Sequence, residues 1–375
     1  MLRPIRLQAV VPLLALALVA CGGDKKAAYQ PRTRTYFIAA DEVAWDFAPA
    51  NVNRITGEAF APDNLFINGT LGKVYRKSLY REYTDATFTT LKPVPAAWQH
   101  LGTLGPLIRG VVGDTIVVEF KNNTAFPSSV HPHNVLYLKD SEGAPYVDGT
   151  TGQSSDDAVP PTGTHLYTWQ VPERAGPGPE DGSSILSMYH SHVNETRDTN
   201  AGLIGPMIIT RAENARDDGT PDEVDRELVN LFTVFDENAS MQIDANIAAS
   251  PACTATPSLC DGSDPAAAPD FEEGNLKHTI NGFLFGNFPE GSLTVAKGQR
   301  VRWYLMGMGT EVDLHTPHWH GQTVLVGGMR MDVTSLLPAT MVVADMVPDN
   351  AGTWLYHCHV NDHIDAGMIT TFTVE

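Results

Sequence analysis

Five landmarks occur twice in this chain in the same order, and that duplication limits the fold more than any other feature. The first set runs through Gly105–Glu119 (GPLIRGVVGDTIVVE), His131-Pro-His133, Val171–Gly176 (VPERAG), Tyr189-His-Ser-His-Val193 and Ala201-Gly-Leu203. The second runs through Gly291–Tyr304 (GSLTVAKGQRVRWY), His318-Trp-His320, Val347–Gly352 (VPDNAG), Tyr356-His-Cys-His-Val360 and Ala366-Gly-Met368. A shared order of this kind implies one domain plan used twice. Between the landmarks, short apolar or alternating runs are separated by Gly, Pro, Asn and Asp turns, with no long helical period, which is the pattern of a Greek-key sandwich. The expectation is an all-β chain of two β-sandwich domains, residues 33–212 and 226–375, joined by a polar linker at 213–225. At 375 residues and 42% hydrophobic content, two such cores can be filled.

The N-terminus reads as an export signal over residues 1–20: Arg3 and Arg6 precede an apolar stretch, Ala9 to Ala20, that is short for a bilayer span. Leu18-Val-Ala-Cys21 resembles a bacterial lipobox, which implies cleavage before a lipidated Cys21 and a tether over 21–32; the alternative is an ordinary secretory signal. Either way the protein works outside the cytoplasm, in the periplasm or at the cell surface, and meets the membrane only through its anchor. Cys253 and Cys260 lie in a Pro/Ala/Ser/Asp-rich loop and are expected to pair in an oxidising compartment. The formal charge of −19 disfavours nucleic acid and anionic membranes and concentrates cations near the surface.

Ten of the 13 histidines fall in four clusters: His131/His133, His190/His192, His315/His318/His320 and His357/His359/His363. On a strand, alternate side chains share a face, so each His-x-His sets two imidazoles side by side at a spacing suited to metal. The same alternation turns Cys358 away from His357 and His359, so the thiolate and the imidazoles serve different metal sites joined by covalent bonds. One thiolate, two imidazoles and a distant thioether suit blue copper, here Cys358, His363 and Met368 with His315 as the natural fourth ligand. The other eight histidines, four per domain, can hold three further coppers; zinc is the competing ion, without an evident use beside a blue site. Domain 1 has Ser191, Leu203 and Ser128 where domain 2 has Cys358, Met368 and His315, so only domain 2 is expected to be blue.

At these residues the sequence resembles the multicopper oxidases, most closely those of the ceruloplasmin and hephaestin type. Further resemblance lies in Tyr36–Asp46 (YFIAADEVAWD), Tyr83–Phe88 (YTDATF), Gly105–Ile108 (GPLI), Gly202–Pro206 (GLIGP), Ile280–Gly286 (INGFLFG) and Trp303–Gly309 (WYLMGMG). The resemblance implies cupredoxin-like domains and four coppers per catalytic unit: type 1 on His315, Cys358, His363 and Met368, and type 2 on His131 and His318. One type 3 copper takes His133, His190 and His359, the other His192, His320 and His357. It implies one-electron oxidation of a reducing substrate coupled to reduction of dioxygen to water. Two domains stand here where ceruloplasmin has six, so three copies would rebuild its ring, with each cluster between subunits; a homotrimer is expected, and a monomer whose own domains meet at the cluster is the alternative.

For the substrate, ferroxidases of this type place carboxylates and a histidine beside the type 1 copper. Glu273, His278 and Asp362 match, and Glu311 matches an acid contributed by a neighbouring unit. Hard carboxylates favour iron(III) over iron(II), so ferrous iron is the expected substrate. A laccase-like phenol oxidase and a manganous or cuprous oxidase are the alternatives, the last without support from the scattered methionines. A copper nitrite reductase would carry its blue site in the first domain, and a non-catalytic copper carrier would have lost cluster ligands. Finally, the Lys139 carbonyl, Gln153, Asp156 and Asp157 resemble a calcium site, in a loop one residue shorter than that pattern, with a solvated acidic loop as the alternative.

Overall fold

The computed structural model describes residues 29–147, 155–310 and 312–375. Cys21, Gln153 and Glu311 lie outside them, as do the signal segment and most of the expected tether. Among the described residues no helix is long and apolar enough to cross a membrane.

Two β-sandwiches follow one another along the chain with the same strand order. In the first, one sheet runs Val74–Tyr83, Thr33–Asp46, Thr115–Asn122, Thr164–Gln170, Leu136–Tyr137, and the other runs Ile108–Val111, Ile204–Thr210, Ser184–His190, His131–Pro132. In the second, the first sheet runs Leu276–Ile280, Arg226–Asp236, Val301–Gly307, Met341–Met346, Val324–Val326, Met329–Met331; its partner runs Thr294–Val295, Ile369–Val374, Gly352–Cys358, Pro317–Trp319. Even the parallel pairs repeat: Thr33–Asp46 beside Thr115–Asn122 corresponds to Arg226–Asp236 beside Val301–Gly307. The duplicated landmarks are therefore duplicated strands.

Side-chain pattern decides which strands lie deep. Thr115–Asn122 alternates, burying Ile116, Val118 and Phe120 and leaving the intervening residues partly exposed, as a strand with one solvated face should. Ser184–His190, Ile204–Thr210, Arg226–Asp236 and Val301–Gly307 are buried on both faces because the two sandwiches pack against each other there. Leu186, Met188, Ile208, Val229, Leu231, Tyr304 and Met306 form a third core between them. Each such buried side chain contributes about 1.5–3 kcal/mol relative to exposure, which makes this junction a fixed interface. Several polar groups inside it are paired: the Tyr304 hydroxyl donates to Glu227 at 3.0 Å, and Arg302 donates to Ser183 and Ser184 at 3.0 and 2.8 Å.

Cys253 and Cys260 form a disulfide with their Cα atoms 5.7 Å apart. Their surroundings differ from the loop read in the sequence. Short helices occupy Ile243–Ala249, Pro251–Ala255 and Ala268–Gly274. The Ser250 hydroxyl accepts from the Cys253 N–H and Pro251 opens the second helix, an N-cap and N1 pair hidden within a composition that otherwise reads as coil.

Candidate metal centres

The strand Gly352–Cys358 lies between Pro317–Trp319 and Ile369–Val374 and delivers Cys358 to the buried interior of the second sandwich. Its amide donates to the Met368 carbonyl at 3.1 Å, and its sulfur lies 3.6 Å from Nδ1 of His363. His315, Cys358 and His363 present ligand atoms within 4.8 Å of one another, all three side chains buried, and Met368 is wholly buried in the same core. His315 donates Nε2–H to the Met308 carbonyl at 3.2 Å, while its Nδ1 is buried without a partner. An orphaned buried nitrogen beside a thiol and a second imidazole is what a metal would satisfy. Burial pushes the His315 pKa down to about 4 and the Cys358 thiol up, so the imidazole is neutral at physiological pH and the thiolate needs a cation beside it. The soft, mixed donor set fits copper.

On the other side of the strand His357 faces away from that site. It pairs in register with His318, its Nε2 lies 3.0 Å from Nε2 of His320, and its Nδ1–H is donated to the Cys358 carbonyl at 2.7 Å. The first sandwich repeats the arrangement: His190 pairs in register with His131, the Nε2 atoms of His190 and His133 are 3.1 Å apart, and Nδ1–H of His190 is donated to the Ser191 carbonyl at 3.0 Å. Nδ1–H of His131 is likewise donated to the Glu142 carbonyl at 2.6 Å. These carbonyls place the proton on Nδ1 and leave Nε2 bare, the tautomer a metal ligand needs. Burial lowers the pKa of His133 and of His190 to about 4, so both imidazoles are neutral and able to bind metal.

His192 and His359 complete the two quartets through ring contacts with His190 and His131, and with His357 and His318. Among the described residues, every imidazole–imidazole ring contact of these eight stays within its own sandwich, and none joins one quartet to the other. Each quartet is an open half.

A cleft of about 400 Å³ reaches His363 from the surface and brings together Glu273, His278 and Asp362. His278 is buried, its ring centroid 5.2 Å from that of His363, with Nδ1–H donated to the Leu276 carbonyl at 3.2 Å. Burial, then the His363 charge, lowers its pKa to about 4. The cleft also holds Asp236, Asp313 and, from the first sandwich, Glu195, which the sequence reading missed. Asp313 stands two residues from Glu311 and could have been taken with it; Glu195 reaches the cleft only through the packing of the two sandwiches.

In the loop compared with a calcium site, one oxygen of the buried Asp156 accepts from the Gly143 N–H at 3.0 Å, and the other has no partner among the described residues. The Lys139 ammonium pairs with Glu142 and Tyr146. A bare carboxylate oxygen suits a hard cation.

Two family models described as multicopper oxidase match residues 101–214 and 265–375, together more than half of the chain. Over about nine-tenths of its length the chain is similar to human ferroxidase HEPHL1 (42% identity, 92% of this chain, 29% of that protein). Human hephaestin (41%, 92% and 29%) and human ceruloplasmin (40%, 91% and 32%) are similar over comparable shares. It thus spans about a third of the length of these relatives. A solved structure titled a crystal structure of multicopper oxidase superposes with a TM-score of 0.57 at 17% identity, covering 92% of this chain and 89% of that one, which shows a shared fold.

Proposed function

This chain belongs to the multicopper oxidase family, and on that premise we propose that it oxidises ferrous iron and passes the electrons to dioxygen, giving water. One observation carries the reading: Cys358 places its sulfur in a buried site with His315 and His363, while His357 beside it joins an imidazole quartet on the opposite face. A single extended segment therefore connects two donor sets of different character by covalent bonds. Copper, when bound, supplies one-electron exchange at the thiolate site and the site of dioxygen reduction at the imidazoles.

His315, Cys358, His363 and Met368 would hold the type 1 ion, and His131 with His318 the type 2 ion. His133, His190 and His359 would hold one type 3 ion, and His192, His320 and His357 the other. The close Nε2 pairs His133/His190 and His320/His357 support that division, since bare nitrogens about 3 Å apart suit two ligands of one metal. In each set one ligand comes from the opposite sandwich, yet the quartets do not touch and the core between the sandwiches is fixed. We therefore take the working unit to be a homotrimer in which the domain spanning 33–212 of one copy faces the domain spanning 226–375 of the next. Exposed Leu138, next to the His131 ring partner Tyr137, and exposed Tyr146, whose hydroxyl meets Glu142, give this contact apolar material beside the first quartet. A single native mass for the monomer in the active, copper-loaded protein would refute it.

The chain's own contribution at the substrate cleft is electrostatic. Glu273 and Asp362 offer hard oxygen donors that favour the more highly charged ferric product, His278 offers a neutral nitrogen, and His363 is both cleft wall and type 1 ligand. Four ferrous ions release four electrons, and dioxygen takes these with four protons to form two waters. The discriminating experiment measures oxygen uptake with ferrous iron, manganous ion and a phenol on one preparation, wild type against Glu273→Ala/Asp362→Ala. Iron turnover should fall about 100-fold with phenol turnover retained, since two charged contacts of roughly 1.5 kcal/mol each are removed. Intact iron turnover with reduced phenol turnover would make the enzyme laccase-like. Export, anchoring through Cys21 and calcium at Asp156 belong to the same proposal; metal analysis and lipid labelling of Cys21→Ala test them.

A further inference from the structure

Thr316 touches both metal centres of the second sandwich. Its N–H donates to the Cys358 sulfur at 3.3 Å, the His359 N–H is shared between its carbonyl oxygen at 2.9 Å and its hydroxyl oxygen at 3.1 Å, and that hydroxyl lies 4.0 Å from the same sulfur. Ser129 is its counterpart in the first sandwich: its N–H donates to the Ser191 hydroxyl at 3.1 Å, and its own hydroxyl accepts from the His192 N–H at 3.1 Å. The accepting half of the device is thus present twice, each time on the second histidine of a His-x-His. The donating half differs. Ser129 gives its proton to the Gly143 carbonyl at 2.6 Å, whereas among the described residues the group in reach of the Thr316 hydroxyl is the Cys358 sulfur, at 4.0 Å, which as a thiolate can only accept.

We propose that Thr316 is a positioning residue that ties the type 1 thiolate to His359, its hydroxyl donating to Cys358 Sγ while accepting from the His359 amide; this rests on the copper reading above. The other flank already has a short link, from His357 Nδ1–H to the Cys358 carbonyl. Thr316 supplies the matching link on the His359 flank, and does so through the sulfur. A hydrogen bond to a copper-bound thiolate withdraws electron density from it and favours the reduced ion, so losing the bond lowers the potential.

The test uses the copper-loaded full chain. In wild type, transfer into D2O should shift the copper–thiolate vibrations in a fast phase, from the exchangeable hydroxyl, ahead of any slower amide phase. Thr316→Val keeps the shape and the amide but removes the hydroxyl. It should lose the fast phase and lower the one-electron reduction equilibrium by up to about tenfold, or about 59 mV. Thr316→Ser should restore both. An unchanged potential in Thr316→Val, or a fast phase that survives there, overturns the proposal. So does a wild type without a fast phase, a result available even if the valine variant fails to fold. A protein with no blue band in any form overturns instead the copper reading beneath it.

Discussion

In the second sandwich Cys358 faces His315 and His363; at the same point of the first, Ser191 donates its hydroxyl to Asp198 at 2.6 Å. The equivalence is geometric, because Thr316 N–H donates to Cys358 Sγ as Ser129 N–H donates to Ser191 Oγ. That register puts the buried Ser128 where His315 stands, and Leu203, wholly buried, takes the place of Met368. Two soft donors and an imidazole have become hydroxyls and a methyl-ended side chain, and a carboxylate closes the gap with hydrogen bonds to Ser191 and to the Asn194 N–H. The quartet face of the strand is unchanged. A strand with period two allows one face to lose a metal site while the other keeps its own.

The largest effect should separate the two positions outright. Cys358→Ser should abolish the blue absorption and all turnover, measured by optical titration with copper and by oxygen uptake, while Ser191→Ala leaves both within about twofold. If Ser191→Ala removed the colour, the assignment of the blue site to one sandwich would fail.

Acid should act on both sandwiches alike. His133, His190 and His315 are held near 4 in the fold, below the usual imidazole value near 6.5. Depressed imidazoles contribute stability that is present above about 6.5 and lost as pH falls toward about 4. The copper-free protein should therefore lose several kcal/mol of stability in total across that window, read as a falling melting temperature, and copper should delay the loss. A flat profile for the copper-free protein would contradict the burial of these rings.

Smaller effects probe the closed position. Ser191→Ala leaves the Asp198 carboxylate buried and one donor short, which should cost about 1–3 kcal/mol in denaturant melts. Burial raises the Asp198 carboxyl pKa above its unfolded value, so it contributes stability below about 4 that is lost as pH rises through the folded value. Asp198→Asn should accordingly compare worst with wild type at acid pH. Of similar size, Cys253→Ser/Cys260→Ser should cost about 2 kcal/mol, since the bridge joins residues only seven positions apart, with no change in colour.

Much of this was legible in the sequence, for local reasons. The repeated landmarks became the same strand order twice, because each landmark is itself a strand or the turn beside it. The opposed directions of Cys358 and His357 follow from the backbone period alone and need no knowledge of what lies across the sheet. The helices around Cys253 were not legible, since a Ser-Pro cap is a weak signal inside a Pro- and Ala-rich stretch.

The sequence by itself determined the β-sandwich plan, the division of donors between the faces of one strand, and the absence of a thiolate in the first copy. Those properties depend on residue type and on a spacing of one or two positions. Only the tertiary structure decided that the two quartets stay apart within one chain, that Glu195 of one sandwich lines the cleft of the other, and that Thr316 touches both the Cys358 sulfur and the His359 amide. Each of these joins residues far apart in the chain, and what brings them together or keeps them separate is the buried core between the sandwiches, whose geometry no local pattern encodes.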